Sequence, residues 1–212
     1  LRDFRRKNPT LWLYIHTNGG VHGEDYWEEI VRIMNGYGQI DFGFDGLEDT
    51  LHLYRRNVKY SIAMRNARAF IHAGGRAQWN YIVFKHNEHQ VNEARVVASS
   101  LKFEEFVMKD STRWLLDTQF PVLDRLGNTV YNLEPSQYTE IKFIDKKIIN
   151  NYKQIVAETK IKCRVAQSKE IYITAEGHLF PCCWLGAIPN QADDFDSSVL
   201  SVRTEIRKQF SE

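Results

Sequence analysis

The chain has 212 residues, 43% of them hydrophobic and 13% aromatic, enough to bury the core of one good-sized domain or of a domain with a small appendage. Its 28 basic and 27 acidic residues nearly cancel, so no long-range field recruits nucleic acid or an anionic membrane. No apolar run approaches the roughly 18 residues that span a bilayer.

Residues 1–8 (LRDFRRKN) read as the end of a helix entering a turn at Asn8-Pro9. The chain begins at Leu1 rather than Met, and the expectation is an internal piece of a longer protein. Residues 10–16 (TLWLYIH) are apolar and β-prone and stop at Thr17-Asn18-Gly19-Gly20, which predicts a strand running into a tight turn. Tyr26, Trp27, Ile30, Val31 and Met34 have the spacing of an amphipathic helix over 24–35. Residues 39–44 return as a strand, stopped by Asp45-Gly46. A helix is predicted over 59–73, closed by Gly74-Gly75, and a strand over 77–84. Asn87 reads as the N-cap of the next helix, with Gln90 closing a capping box; a strand over 103–108 follows.

Four strands alternating with three helices predict βα units on a parallel sheet. After Asp110 the rhythm breaks. FPVLD and TVYNLE flank Arg125-Leu126-Gly127-Asn128 as a hairpin, and helices are predicted near 144–158 and 196–210. The boundary between the βα part and the appended part is placed near residue 112.

In parallel α/β folds, ligands bind at the C-terminal ends of the strands. The candidates there are Thr17, Asn18 and Gly19; Gly43, Asp45 and Gly46; Asn80, Lys85, His86 and Asn87; and Lys109 with Asp110. The same Thr-Asn-Gly and Asp-Gly segments are also ordinary turn chemistry. His86 and His89 could pair on a metal, but no third ligand is apparent, and a solvated helix start explains them better. Asp45, Glu48 and Asp49 could serve acid–base work or simply line a solvated loop.

The three cysteines are more informative. Thirteen residues separate Cys163 from Gly177 and four separate Gly177 from Cys182, with Cys183 next. Glu170–Thr174 reads as a strand, Ala175–Gly177 as a turn and His178–Pro181 as the return, so all the thiols flank one hairpin. Thiolates gathered this way suit iron–sulfur or zinc, with His178 as a possible fourth ligand. An odd count speaks against a disulfide framework and fits a reducing, cytoplasmic setting.

Taken in order, these elements resemble a radical S-adenosylmethionine (SAM) enzyme with a SPASM or twitch-type C-terminal extension, over nearly the whole chain. Thr17-Asn18-Gly19 resembles the TNG that ends that family's third strand. Phe42 to Leu47 resembles its fourth-strand S-x-D-G segment, and Ile82 to Asn87 its fifth strand with a trailing asparagine. Cys163, Gly177 and Cys182 resemble the opening of the SPASM pattern. The resemblance implies an α/β fold: a partial (β/α)6 barrel, strands three to six, in residues 1–112, then a small α+β cysteine-containing extension in 113–212. It implies SAM on the rim beside Thr17, Asn18, Gly43 and Asp45, with Asn80 toward its methionine end. SAM would be cleaved to a 5′-deoxyadenosyl radical that abstracts a substrate hydrogen. Cys163 and Cys182, together with Cys183, would hold an auxiliary 4Fe-4S cluster. The implied partners are a peptide, protein or small-molecule substrate and a reductant such as flavodoxin or ferredoxin, with neither nucleic acid nor membrane.

The chain also departs from the pattern. The C-x-x-x-C-x-x-C loop of the SAM-binding cluster, the glycine-rich second-strand motif and the later SPASM cysteines are absent, and Gly43 stands where the family has serine. The isolated chain is therefore expected not to cleave SAM, and to leave one sheet edge exposed. Two other readings stay open on the residues alone. One is a zinc-stabilised α/β binding module built on Cys163, Cys182, Cys183 and His178; the other is a βα enzyme with structural thiols that uses Asp45 or His86.

Overall fold

Helix α1 (Arg2–Lys7) leads into strand β1 (Leu13–Thr17), which starts a four-stranded parallel sheet in the order β1-β2-β3-β4. The other strands are β2 (Gly38–Gly43), β3 (Ala77–Ile82) and β4 (Glu105–Lys109). In this computed structural model the described residues are 1–115, 119–124, 126–139, 164–174 and 177–183, with 154, 158 and 160. They fall into two compact units, Leu1–Ile149 and Asn150–Glu212. The sheet belongs to the first.

Helix α2 (Glu24–Met34) links β1 to β2. The short α3 (Leu51–Tyr54), which the sequence pattern does not announce, and α4 (Tyr60–His72) link β2 to β3. Backbone bonds from Gly74 N to Ile71 O and from Gly75 N to Phe70 O close α4, so the expected glycine cap is present. A 3-10 turn (Glu88–Gln90) and α5 (Val91–Ser100) link β3 to β4.

The alternation of the strands sorts their side chains onto two unlike faces. Leu13, Ile40, Phe42, Ala77, Trp79 and Tyr81 point one way and join Trp27, Ile30 and Met34 of α2, Ala63, Met64, Ala67 and Phe70 of α4, and Ala94 and Ala98 of α5 in one core. Its centre is aromatic: Phe42 lies 5.6 Å from Trp27 and 6.0 Å from Phe70 between ring centroids, and Phe44 lies 5.3 Å from Trp79. The alanines on α4 and α5 let these helices approach the large rings closely. Tyr14, His16, Gln39, Asp41, Gln78 and Asn80 point the other way. Parallel sheets normally bury both faces under helices. Here the core helices pack on one face only, among the described residues, and the other face is polar.

One expectation is corrected. Neither Asn87 nor Gln90 makes a side-chain cap bond to the following helix. Both are buried and their amides turn toward the β2–α3 loop instead, so the 3-10 turn carries the chain into α5 without a capping box.

Strands β5 (Phe120–Leu123) and β6 (Thr129–Leu133) form the expected antiparallel hairpin. It packs at the C-terminal ends of the sheet strands, where Trp114 and Leu133 bury Phe84 in a second small core. In the second unit, α6 (Arg164–Ser168) precedes a short antiparallel pair, β7 (Tyr172–Ile173) and β8 (Leu179–Phe180). Gly177 turns this hairpin at φ +86°, a conformation that favours glycine, and donates its N–H to Thr174 O at 3.0 Å. Cys163 and the predicted 196–210 helix lie outside the described residues, as does nearly all of the predicted 144–158 helix. No helix among the described residues is long and apolar enough to cross a membrane.

Candidate functional site

The parallel register places the ends of β1, β2 and β3 side by side, with Thr17 beside Phe42 and Gly43 beside Asn80. After β1, Thr17 Oγ1 accepts the Gly19 N–H and Asn18 Oδ1 accepts the Gly20 N–H, each at 3.0 Å. These are the turn bonds that such residues make for themselves. They leave the Asn18 amide nitrogen as the part of the loop able to face a ligand. The fully buried Asn66 of α4 donates to Gly19 O at 2.8 Å and to Val21 O at 3.0 Å, so the loop rests on an internal strut.

After β2, Asp45 is fully buried. Its Oδ2 accepts Arg55 Nε at 2.7 Å and its Oδ1 accepts the Ile82 N–H at 2.7 Å. Burial pushes its carboxyl above the usual range, while the Arg55 guanidinium and the Ile82 amide pull it back. Both of its oxygens are occupied from within the protein, so what Asp45 offers the rim is the position of Arg55. Gly43 explains how Arg55 fits: a Cβ there would meet Arg55 Nη2 at 2.7 Å and Cζ at 3.4 Å. Gly46, at φ +150°, is tighter still, because a Cβ there would lie 2.4 Å from Thr50 Oγ1 and 2.7 Å from Leu51 N. The Arg55 and Arg113 guanidinium carbons each lie 4.9 Å from the Tyr54 ring centroid, which makes this end of the sheet cationic and aromatic.

After β3, the protein itself takes up most of the expected rim residues. Lys85 Nζ pairs with Glu134 at 2.6 Å. Asn87 accepts the Phe84 N–H and donates to the carbonyls of Asp45 and Ile82. Gln90 accepts the Leu47 N–H and the Thr50 hydroxyl and donates to Asp49. Glu48, Asp49 and His89 are not drawn together into a metal site; no group of three His, Cys, Asp or Glu able to hold an ion occurs among the described residues.

His86 stacks on Phe84 with ring centroids 5.3 Å apart, and among the described residues its buried Nε2 finds no hydrogen-bond partner. Burial first, then the neighbouring His89 and His52, push its imidazole from 6.5 down to about 4. Unfolded chains therefore take up a proton at His86 as the pH falls through 6.5, while the native state does not until about 4. Stability held above the upper value is lost on acidification through that window. Urea unfolding of His86→Gln is expected to show a flatter loss of stability between those two values than the wild type.

The open face of the sheet was not anticipated as a site. Asp41, on β2, is 1% exposed and gathers the Tyr14 hydroxyl at 2.6 Å, Asn80 Nδ2 at 2.8 Å, Gln39 Nε2 at 3.0 Å and Gln78 Nε2 at 3.3 Å. His16 Nδ1 lies 3.5 Å from the same carboxylate. Asn80 is therefore joined to Asp41, and its Oδ1 accepts Gln78 Nε2 at 2.8 Å. Asp41, Tyr14, His16, Gln78 and Arg55 are the residues that reading the strand ends alone passed over. The period-two recurrence of Gln39 with Asp41, and of Gln78 with Asn80, was the signal for the strand residues among them; nothing in the strand pattern pointed to Arg55.

In the second unit, Cys182 is half-buried and Cys183 exposed, both as free thiols just past β8. His178 donates its backbone N–H to Thr174 Oγ1 at 3.2 Å.

No protein-family model matches the chain, and no curated protein matches it. Among solved structures the chain is similar to Streptococcus suis SuiB at 14% identity and a TM-score of 0.40, over 80% of this chain and 43% of that one. It is similar to native anSMEcpe with bound AdoMet at 12% identity and a TM-score of 0.45, over 85% of this chain and 53% of that one. SuiB bound to its precursor peptide SuiA aligns at 14% identity and a TM-score of 0.40, over 80% of this chain and 42% of that one. The chain thus spans about half the length of the structures it resembles.

Proposed function

We propose that this chain is part of a radical SAM iron–sulfur enzyme that modifies a substrate, with a peptide or protein as the substrate class we favour. In this reading residues 1–112 are the βα part of a barrel and residues 113–212 a SPASM or twitch-like extension. The supporting observation is the alignment of Thr17-Asn18-Gly19 and Gly43–Gly46 at one end of a parallel sheet whose free face carries hydrogen-bonding side chains. Three of the motifs quoted from the sequence meet along that edge.

The residues at this edge suit the amino-acid end of SAM in an altered way. The hydroxyl missing at Gly43 is replaced by the guanidinium of Arg55, which Asp45 holds over the glycine and which matches a carboxylate. Asn18 would offer its amide nitrogen, Thr17 would hold the turn, and Asn80 would act from within the Asp41 network. The three thiols are the donor set an iron–sulfur cluster takes, so Cys163, Cys182 and Cys183 would hold the auxiliary cluster. SAM, cleaved at a cluster held by a C-x-x-x-C-x-x-C loop that this chain does not carry, would supply the radical that abstracts a substrate hydrogen, so the isolated chain would be inactive; its own residues would bind, orient and keep water out. A reductant such as flavodoxin or ferredoxin would serve as electron donor.

Anaerobic reconstitution of the full gene product with iron and sulfide is expected to give a brown protein. Its iron content should fall in Cys163→Ala and Cys182→Ala variants. A protein that stays colourless, or that comes out holding zinc in place of iron, refutes the reading.

A further inference from the structure

Asp41 is surrounded by donors. A carboxylate has about four acceptor sites, and Tyr14, Asn80, Gln39 and Gln78 supply four hydrogen bonds to it. Three of them fall on Oδ2, the oxygen nearest His16, and one on Oδ1. Asp41 can still orient a neighbour. His16 stands directly opposite Asp41 in the β1–β2 register, presents Nδ1 to Asp41 Oδ2 at 3.5 Å, and keeps 63% of its side chain exposed on the open face. No hydrogen bond joins the two, because Oδ2 already accepts Tyr14, Asn80 and Gln78; the nearby negative charge favours the tautomer protonated at Nδ1, which leaves the Nε2 lone pair outward. Tyr14 fixes the ring from one side, edge-on at 4.8 Å between centroids.

We propose that His16 is a proton-transfer residue of the open sheet face, positioned by Asp41, for a ligand that presents an ammonium or hydroxyl proton. The proton moves from the ligand's nitrogen or oxygen to Nε2, and the resulting imidazolium is stabilised by the Asp41 charge 3.5 Å from Nδ1; nothing is oxidised or reduced. The charges around it suit that ligand. The Asp41 and Glu105 carboxylates add negative charge beside Tyr14 and, with burial as the larger cause, push its phenol well above its ordinary range. Partial burial, assisted by Lys109 and opposed by Asp41, pushes the His16 imidazole below its ordinary value. Among the described residues, Tyr14 on its own strand, Asp41 on β2 and Lys109 on β4 face His16, and Glu105 on β4 acts on Tyr14. The inference needs neither SAM nor a cluster, so its test and that of the proposed function fail independently.

The test is imidazole nitrogen NMR on the full chain across a pH titration, with peptide-mapped acylation of His16 by diethyl pyrocarbonate. Wild type is expected to show the Nδ1-protonated tautomer and ready acylation at Nε2. Asp41→Asn should move the tautomer toward Nε2–H and weaken proton binding at His16 by about tenfold, with partial rescue in Asp41→Glu. Tyr14→Phe frees a lone pair on Asp41 for His16 and should strengthen proton binding there, which keeps the test open if Asp41→Asn fails to fold. An Nε2–H tautomer in wild type overturns the inference, as does His16 titration that is unmoved by Tyr14→Phe.

Discussion

Asn87→Ala is expected to lower the free energy of unfolding by about 4 kcal/mol. Asn87 is fully buried, and its side chain makes three hydrogen bonds to backbone. It accepts from Phe84 N at 2.7 Å and donates to Asp45 O at 2.9 Å and Ile82 O at 3.0 Å. Truncation strands one buried N–H and two carbonyls, each costing about 1–3 kcal/mol. A residue serving only as a helix N-cap would cost about 1 kcal/mol on the same substitution, so the magnitude separates the two roles. Asn87→Asp is not expected to rescue, because it turns a carboxylate oxygen toward two carbonyls. Urea unfolding measures the loss, and faster hydrogen exchange at the Phe84 amide would place it in the β3 loop. A cost near 1 kcal/mol would assign Asn87 to the cap after all.

Asp45→Ala is expected to cost about 3 kcal/mol, the lower part of the range for removing one member of a buried ion pair. Asp45 is wholly buried while Arg55 is 30% exposed, so the stranded guanidinium can swing toward water and recover part of its hydration. The Ile82 N–H has no such escape. If Asp45 serves mainly to hold Arg55, the double variant Asp45→Ala/Arg55→Ala should unfold no more easily than Asp45→Ala alone, with a coupling of about 1–2 kcal/mol in the cycle. Additive losses would mean that the two side chains act separately. The same pair bears on the proposed function, because Gly43 leaves the space that Arg55 enters. Gly43→Ser should displace Arg55 and perturb this end of the sheet, although serine is the residue the resemblance expects there.

Much of the architecture could be read directly from residue order. Apolar spacing at Trp27, Ile30 and Met34 foretold α2, and Gly74-Gly75 foretold the end of α4, where the two backbone bonds are found. The β5–β6 hairpin and the Gly177 turn also occur where turn residues place them. The open face escaped notice because candidates were sought only at the strand ends, which gave Asn80 but not Gln39, Asp41 and Gln78 inside the strands, whose alternation reports a second face. Asn87 and Gln90 misled for a different reason: they satisfy a local capping pattern, and a buried loop competes for the same amides.

Backbone hydrogen bonding repeats over a few residues, so residue order alone determined the alternation of strands and helices, the turn glycines and the hairpin that leads into Cys182 and Cys183. Which polar groups meet was decided only by tertiary structure. Tyr14 reaches Asp41 across 27 positions, Asn80 reaches Asp41 across 39, and Asn87 reaches Asp45 across 42. Those partners are chosen by strand register and by the cost of leaving a buried donor or acceptor unmet, and neither exists until the chain has folded.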